Sequence, residues 1–185
     1  QMTLSFNTGL QKCLSFLHEI GIECIEDEQA NGFLPRCRID AGKIFYSPDC
    51  HFSDLLHEAG HLACIPSMFH HLTTCDLDEC LDSIFREIEA VKDPEEKERL
   101  NNLMIHSSDV EATAWSWAAG MHLGLDESEI ICDDQYQGDG ANIRFMLKVN
   151  QYFGIHGLAG AQRCVVRENP YSTLPIYPKL KSWLV

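Results

Sequence analysis

His57-Glu58-Ala59-Gly60-His61 sets two imidazoles and a carboxylate at a spacing that suits a metal ion. On an α-helix, residues four apart lie about 40° apart around the axis and about 6 Å along it, so both rings reach toward one ion. Zinc binds imidazole nitrogen well, and a catalytic zinc site keeps a fourth position for water, whose pKa falls from about 16 to about 7 on the ion. Glu58 then has a defined chemical role, taking a proton from that water and passing it to the leaving group. Residue frequencies predict such a motif about 0.035 times in a chain of this composition, so accident explains it poorly. Gly60 adds a packing constraint. A glycine inside a helix costs about 1 kcal/mol against alanine, which predicts that another backbone or a ligand comes close at this point.

Two histidines and a water leave the site one protein ligand short, and His, Glu, Asp or Cys can supply it. The His-x-x-Gly-x-x-His extension of the metzincins does not follow His61. Glu111 is one candidate. Its helical neighbours Ala114, Trp115 and Ala118 form an apolar, small-residue surface, where a carboxylate is expensive to bury unless paired or bound to a cation. Ser108 three residues earlier offers another role, a capping box in which Glu111 bonds back to the cap. Asp109 is the next candidate, either as a ligand or as an acceptor for a ligand imidazole.

These residues must be positioned by short elements. Apolar positions at helical spacing predict a first helix over 8–20, stopped by Gly21, and a short strand over 22–25. The β-prone runs 33–39 and 43–47 flank Asp40-Ala41-Gly42, a hairpin turn. Ser53 or a neighbour caps the motif helix, which ends before Pro66. Acidic helices follow at 78–91 and 94–105, then a helix over 109–123. The Asp-rich segment 126–140 reads as loop and 141–153 as helix, and the proline-containing tail 169–185 reads as extended. The expected fold class is α+β: mostly helical, with a small antiparallel sheet or hairpin preceding the motif helix. One domain spans 1–185, with 76–105 as an acidic helical insertion.

His-Glu-Ala-Gly-His, followed downstream by Glu-x-x-Ala-x-x-Trp-Ala on a helix, resembles the gluzincin metallopeptidases, above all the short ImmA/IrrE-type proteins. The resemblance implies that His57, His61 and Glu111 bind zinc and that Glu58 is the catalytic base. It also implies a peptide or protein substrate lying along the sheet edge that precedes the motif helix. Trp115 stands where the larger thermolysin-like enzymes have an Asp four residues after the ligand. His156, His106 and Tyr136 are candidates for the group that polarises the substrate carbonyl.

The composition narrows the remaining classes. A net charge of -14 with no basic patch disfavours nucleic acid, and no apolar run reaches the roughly 18 residues of a membrane span. Acid concentrated at 76–98 predicts a solvated face, and leaves room for docking a basic partner. Nine cysteines without a CxxC pair fit a reduced, cytoplasmic setting better than a disulfide framework. Two other readings compete with a metallopeptidase. A deformylase-like hydrolase would draw its third ligand from upstream Cys13, and a zinc-stabilised interaction or regulatory module would use the same ligands without catalysis.

Overall fold

A computed structural model describes residues 2–185, with side chains from Thr8 onward. Helix α1 (Met2–Ile20) ends at Gly21, whose left-handed φ of 100° turns the chain toward β1 (Cys24–Glu26). Strands β2 (Cys37–Asp40) and β3 (Lys43–Tyr46) form an antiparallel hairpin. Ala41 and Gly42 both have positive φ, as a two-residue hairpin turn with right-handed strand twist requires. Because β1 joins the other edge of β3 in parallel, the sheet is mixed and has the order β1-β3-β2. The run 33–36, expected as strand, is instead a loop leading into β2.

Helix α2 (Phe52–Cys64) carries the motif through the middle of the molecule. Every residue of it except Asp54 is buried. His51 is its cap, the Nδ1 atom accepting from the Ser53 amide at 3.1 Å. Leu55, Leu56, Ala59 and Leu62 are fully enclosed by α1, the sheet and α5 (Asp109–His122). Among the described residues, contact with α5 is the most extensive between any two elements, and Gly60 makes it possible. A Cβ at Gly60 would lie 2.5 Å from the carbonyl oxygen of Ala112. The glycine in the motif therefore marks the close backbone approach that its helical cost implied.

Between α2 and α5 lie a 3-10 turn (Ser67–Leu72), α3 (Leu77–Glu89) and α4 (Pro94–Ile105), the two α-helices capped by Asp76 and Asp93. Ile65, Phe69, Ile84, Ile88, Leu100 and Met104 give these elements a small core of their own. The acidic residues cover its outside.

After α5 come α6 (Glu127–Ile130), a single turn α7 (Gln135–Gly138) whose Tyr136 and Gln137 have left-handed φ/ψ, α8 (Gly140–Lys148) and α9 (Phe153–Gly160). The helix expected over 141–153 ends early, at Lys148, and a separate helix begins at Phe153. Asn150 takes a left-handed φ of 55° after α8, and the chain restarts at Phe153 as a glycine-rich helix packed on α5. The tail is extended but docked. Tyr177 donates its hydroxyl to the Ala114 carbonyl at 2.7 Å, and Trp115 Nε1 donates to the Trp183 carbonyl at 3.0 Å. The Trp183 ring lies against Phe16 and Trp115, with centroids at 5.0 and 5.7 Å.

All nine cysteines are free thiols. Among the described residues no helix is long and apolar enough to cross a membrane. The architecture is α+β and mostly helical, with one small sheet.

Candidate metal centre

The motif histidines lie one turn apart on α2, with ring centroids 4.9 Å apart and planes at 84°. Both present Nε2 to the first residue of α5. His57 Nε2 lies 2.8 Å and His61 Nε2 3.4 Å from Oδ1 of Asp109. Among the described residues, one cluster of His, Cys, Asp and Glu could hold a metal ion: His57, His61 and Asp109, with ligand atoms within 4.8 Å of one another. Two imidazole nitrogens and a carboxylate oxygen at this spacing fit a divalent ion that accepts mixed N and O donors. The histidines are buried, while the Asp109 side chain is 61 % exposed, so the group reaches solvent through Asp109. His61 Nδ1 is buried without a hydrogen-bond partner, so the ring is held by packing and by its Nε2 contact with Asp109.

Glu111 lies outside this group. Asp109 and Glu111 are two residues apart on a helix, about 200° around its axis, so they cannot both face the histidines. Glu111 is buried toward α9. Its carboxylate accepts from the Ser108 hydroxyl, has His106 Nδ1 at 3.9 Å, and is pressed by Gly157, where a Cβ would come 2.5 Å from Oε1. Ser108 and Glu111 thus meet side chain to side chain, while Ser108 makes no side-chain hydrogen bond to the helix backbone. The structure brings Asp109, and not Glu111, to the histidine pair. Cys13 is remote in kind: it is fully buried in α1, and desolvation pushes its thiol up to about 12.

Charge at the site is set by burial and contact. Glu58 is buried, and its carboxyl is pushed up to about 7, chiefly by desolvation, with Asp54 and Asp109 adding to the shift and His61 opposing it. Hydrogen bonds from His57 and then His61 hold Asp109 well below the usual carboxylate range.

A cleft of about 560 Å³ opens over His57 and Asp109. Phe33, Leu34 and Pro35 form one wall, and the segment 130–137 the other. Gln135 braces the second wall: its Oε1 accepts from the Cys132 amide and its Nε2 donates to Ser53 Oγ, both at 2.8 Å. Of the three residues considered for carbonyl polarisation, only Tyr136 lines the cleft, its ring centroid 6.5 Å from that of His57. His106 sits beside Glu111, and His156 is exposed on α9. Cys132 Sγ lies 3.9 Å from His51 Nε2, but burial raises its thiol pKa, the wrong direction for a thiolate nucleophile.

No family model, curated protein or solved structure matches this chain.

Sequence reasoning did not single out Thr113, Gln135 or Asp54. Thr113 was open to inference, because it follows Asp109 by four residues and so shares its helix face. Asp54 likewise precedes His57 by three. Gln135 carried no such signal, since a non-periodic segment places it.

Proposed function

We propose that this chain is a zinc-dependent hydrolase of peptide bonds, with His57, His61 and Asp109 holding the ion and Glu58 acting as general base. The observation that supports it most is the convergence of three ligand atoms from two helices beside a cleft that His57 and Asp109 line, with a buried carboxyl next to one of them in sequence. The reading keeps the gluzincin-like arrangement on α2 and departs from it in the third donor, an aspartate at the start of α5.

Zinc, when bound, supplies Lewis acidity that eases loss of a proton from water and polarises an amide carbonyl. The chain does the rest. Glu58, the buried carboxylate beside His57 in the motif, takes the proton from the attacking water and delivers it to the departing amine. The walls at 33–35 and 130–137 hold the substrate and keep bulk water from the reacting bond.

The test compares wild type with Glu58→Gln, both loaded with one equivalent of zinc, on a broad peptide library. Wild type should cleave a subset of peptides, and Glu58→Gln should bind zinc and fold alike while losing at least about 1,000-fold in kcat/KM. If loaded wild type cleaves nothing, a zinc-stabilised interaction module using the same ligands becomes the better account.

A further inference from the structure

When His57 Nε2 gives its lone pair to a metal, the remaining ring proton must sit on Nδ1 and needs an acceptor. Thr113 Oγ1 lies 3.4 Å from that Nδ1, on a side chain with no exposed surface. The same oxygen is 3.1 Å from the Asp109 carbonyl, to which it donates, and 2.7 Å from the hydroxyl of Tyr136. A threonine hydroxyl has one proton and two lone pairs, so this set of neighbours can satisfy it completely. It donates to the Asp109 carbonyl and accepts from Tyr136 and from His57.

We infer that Thr113 is a positioning residue for the metal site proposed above, fixing His57 in the tautomer that frees Nε2 and tying the metal to the cleft wall through Tyr136. Without metal, His57 Nε2 donates to the Asp109 carboxylate and Nδ1 can accept. The hydroxyl of Thr113 serves either state by rotating its proton between Nδ1 and the Asp109 carbonyl. One residue thereby touches both elements that supply ligands, holding a ligand ring on α2 and the backbone of the ligand residue Asp109 on α5. Tyr136 holds the third position of the hydroxyl. It sits in a turn where Tyr136, Gln137 and Gly138 all have positive φ, so the phenol is presented by a backbone that few other sequences adopt. His61 has no counterpart, its Nδ1 being buried and unpartnered. The two histidines of the motif are therefore unequal.

The experiment measures zinc affinity by competition with a chromophoric chelator, and the visible absorption of the Co2+-loaded protein, for wild type, Thr113→Val, Thr113→Ser and Tyr136→Phe. Thr113→Val should weaken zinc about 10- to 100-fold and shift the cobalt bands, while Thr113→Ser keeps both close to wild type. Tyr136→Phe should show a smaller loss in the same direction. Thr113→Val with affinity within about two-fold of wild type and an unchanged cobalt spectrum overturns the positioning role. If the valine variant does not fold, Tyr136→Phe decides by the same two readings. Wild type that binds no metal overturns the metal site itself, a result distinct from a metal-binding wild type matched by its variants.

Discussion

The side chains of His57 and Asp109 stand 52 residues apart in the chain and meet at 2.8 Å. One is a buried residue in the middle of a helix, and the other is the exposed first residue of the helix packed across it. The carboxylate lies between two imidazoles, so a cation entering there would replace protons already shared among the three groups.

Metal content should follow this geometry. Asp109→Ala should lose at least about 100-fold in zinc affinity, while Glu111→Gln, whose amide can still accept from Ser108, stays within about three-fold of wild type. Elemental analysis after dialysis against a weak chelator reads both. Zinc retained in Asp109→Ala and lost in Glu111→Gln would restore Glu111 as the ligand.

Glu58 makes the metal-free protein sensitive to pH. Its carboxyl titrates near 7 when folded, against 4.5 in an exposed chain, so the folded state favours the protonated form. The stability it contributes is complete below pH 4.5 and is lost as pH rises through about 7, amounting to about 3 kcal/mol at most. Urea denaturation at about pH 5 and about pH 8 should show wild type losing more stability than Glu58→Gln between the two. Parallel losses in the two proteins would refute the assignment.

Gly60→Ala tests the helix contact. Helix propensity alone favours alanine by about 1 kcal/mol. The added Cβ, 2.5 Å from the Ala112 carbonyl, should reverse the sign and destabilise by about 1–3 kcal/mol. A melting temperature equal to or above that of wild type would show that α2 and α5 can part freely.

The tail depends on Arg163. This buried guanidinium donates to the Ser182 and Trp183 carbonyls at 3.2 and 2.8 Å. Arg163→Met should strand the Ser182 carbonyl, at a cost of about 1–3 kcal/mol where it is buried, leave the Trp183 carbonyl with Trp115 Nε1 alone, and loosen the segment around Trp183. Hydrogen exchange at 180–185 should then rise well before global unfolding, and protection equal to wild type would contradict the anchoring.

The ligand-bearing helix was legible because its signals are local: a four-residue spacing, a periodic apolar stripe and a closing proline. The hairpin was too, since its turn chemistry lies in consecutive residues. The third donor was not. Glu111 and Asp109 both suit the first turn of α5, and only the rotation of that helix against α2 decides which one faces the histidines. Helix α9 was hidden for a related reason: its glycines weaken local helix propensity, and packing against α5 supplies what the sequence withholds. The cleft wall at 130–137 has no period to read, and side-chain bonds from Gln135 and Tyr136 place it.

The close approach of Gly60 to Ala112 also bears on the proposed ligands. The histidine nitrogens ride on one helix and the Asp109 carboxylate on the other, and the absence of a Cβ at Gly60 lets those helices come this close. In the proposed centre, two imidazole nitrogens and one carboxylate would suit a small ion with donors at about 2.0–2.2 Å, whereas calcium takes six to eight oxygens at about 2.3–2.6 Å. A missing methyl group that touches no ligand atom thus sets the span across which the proposed ligands meet.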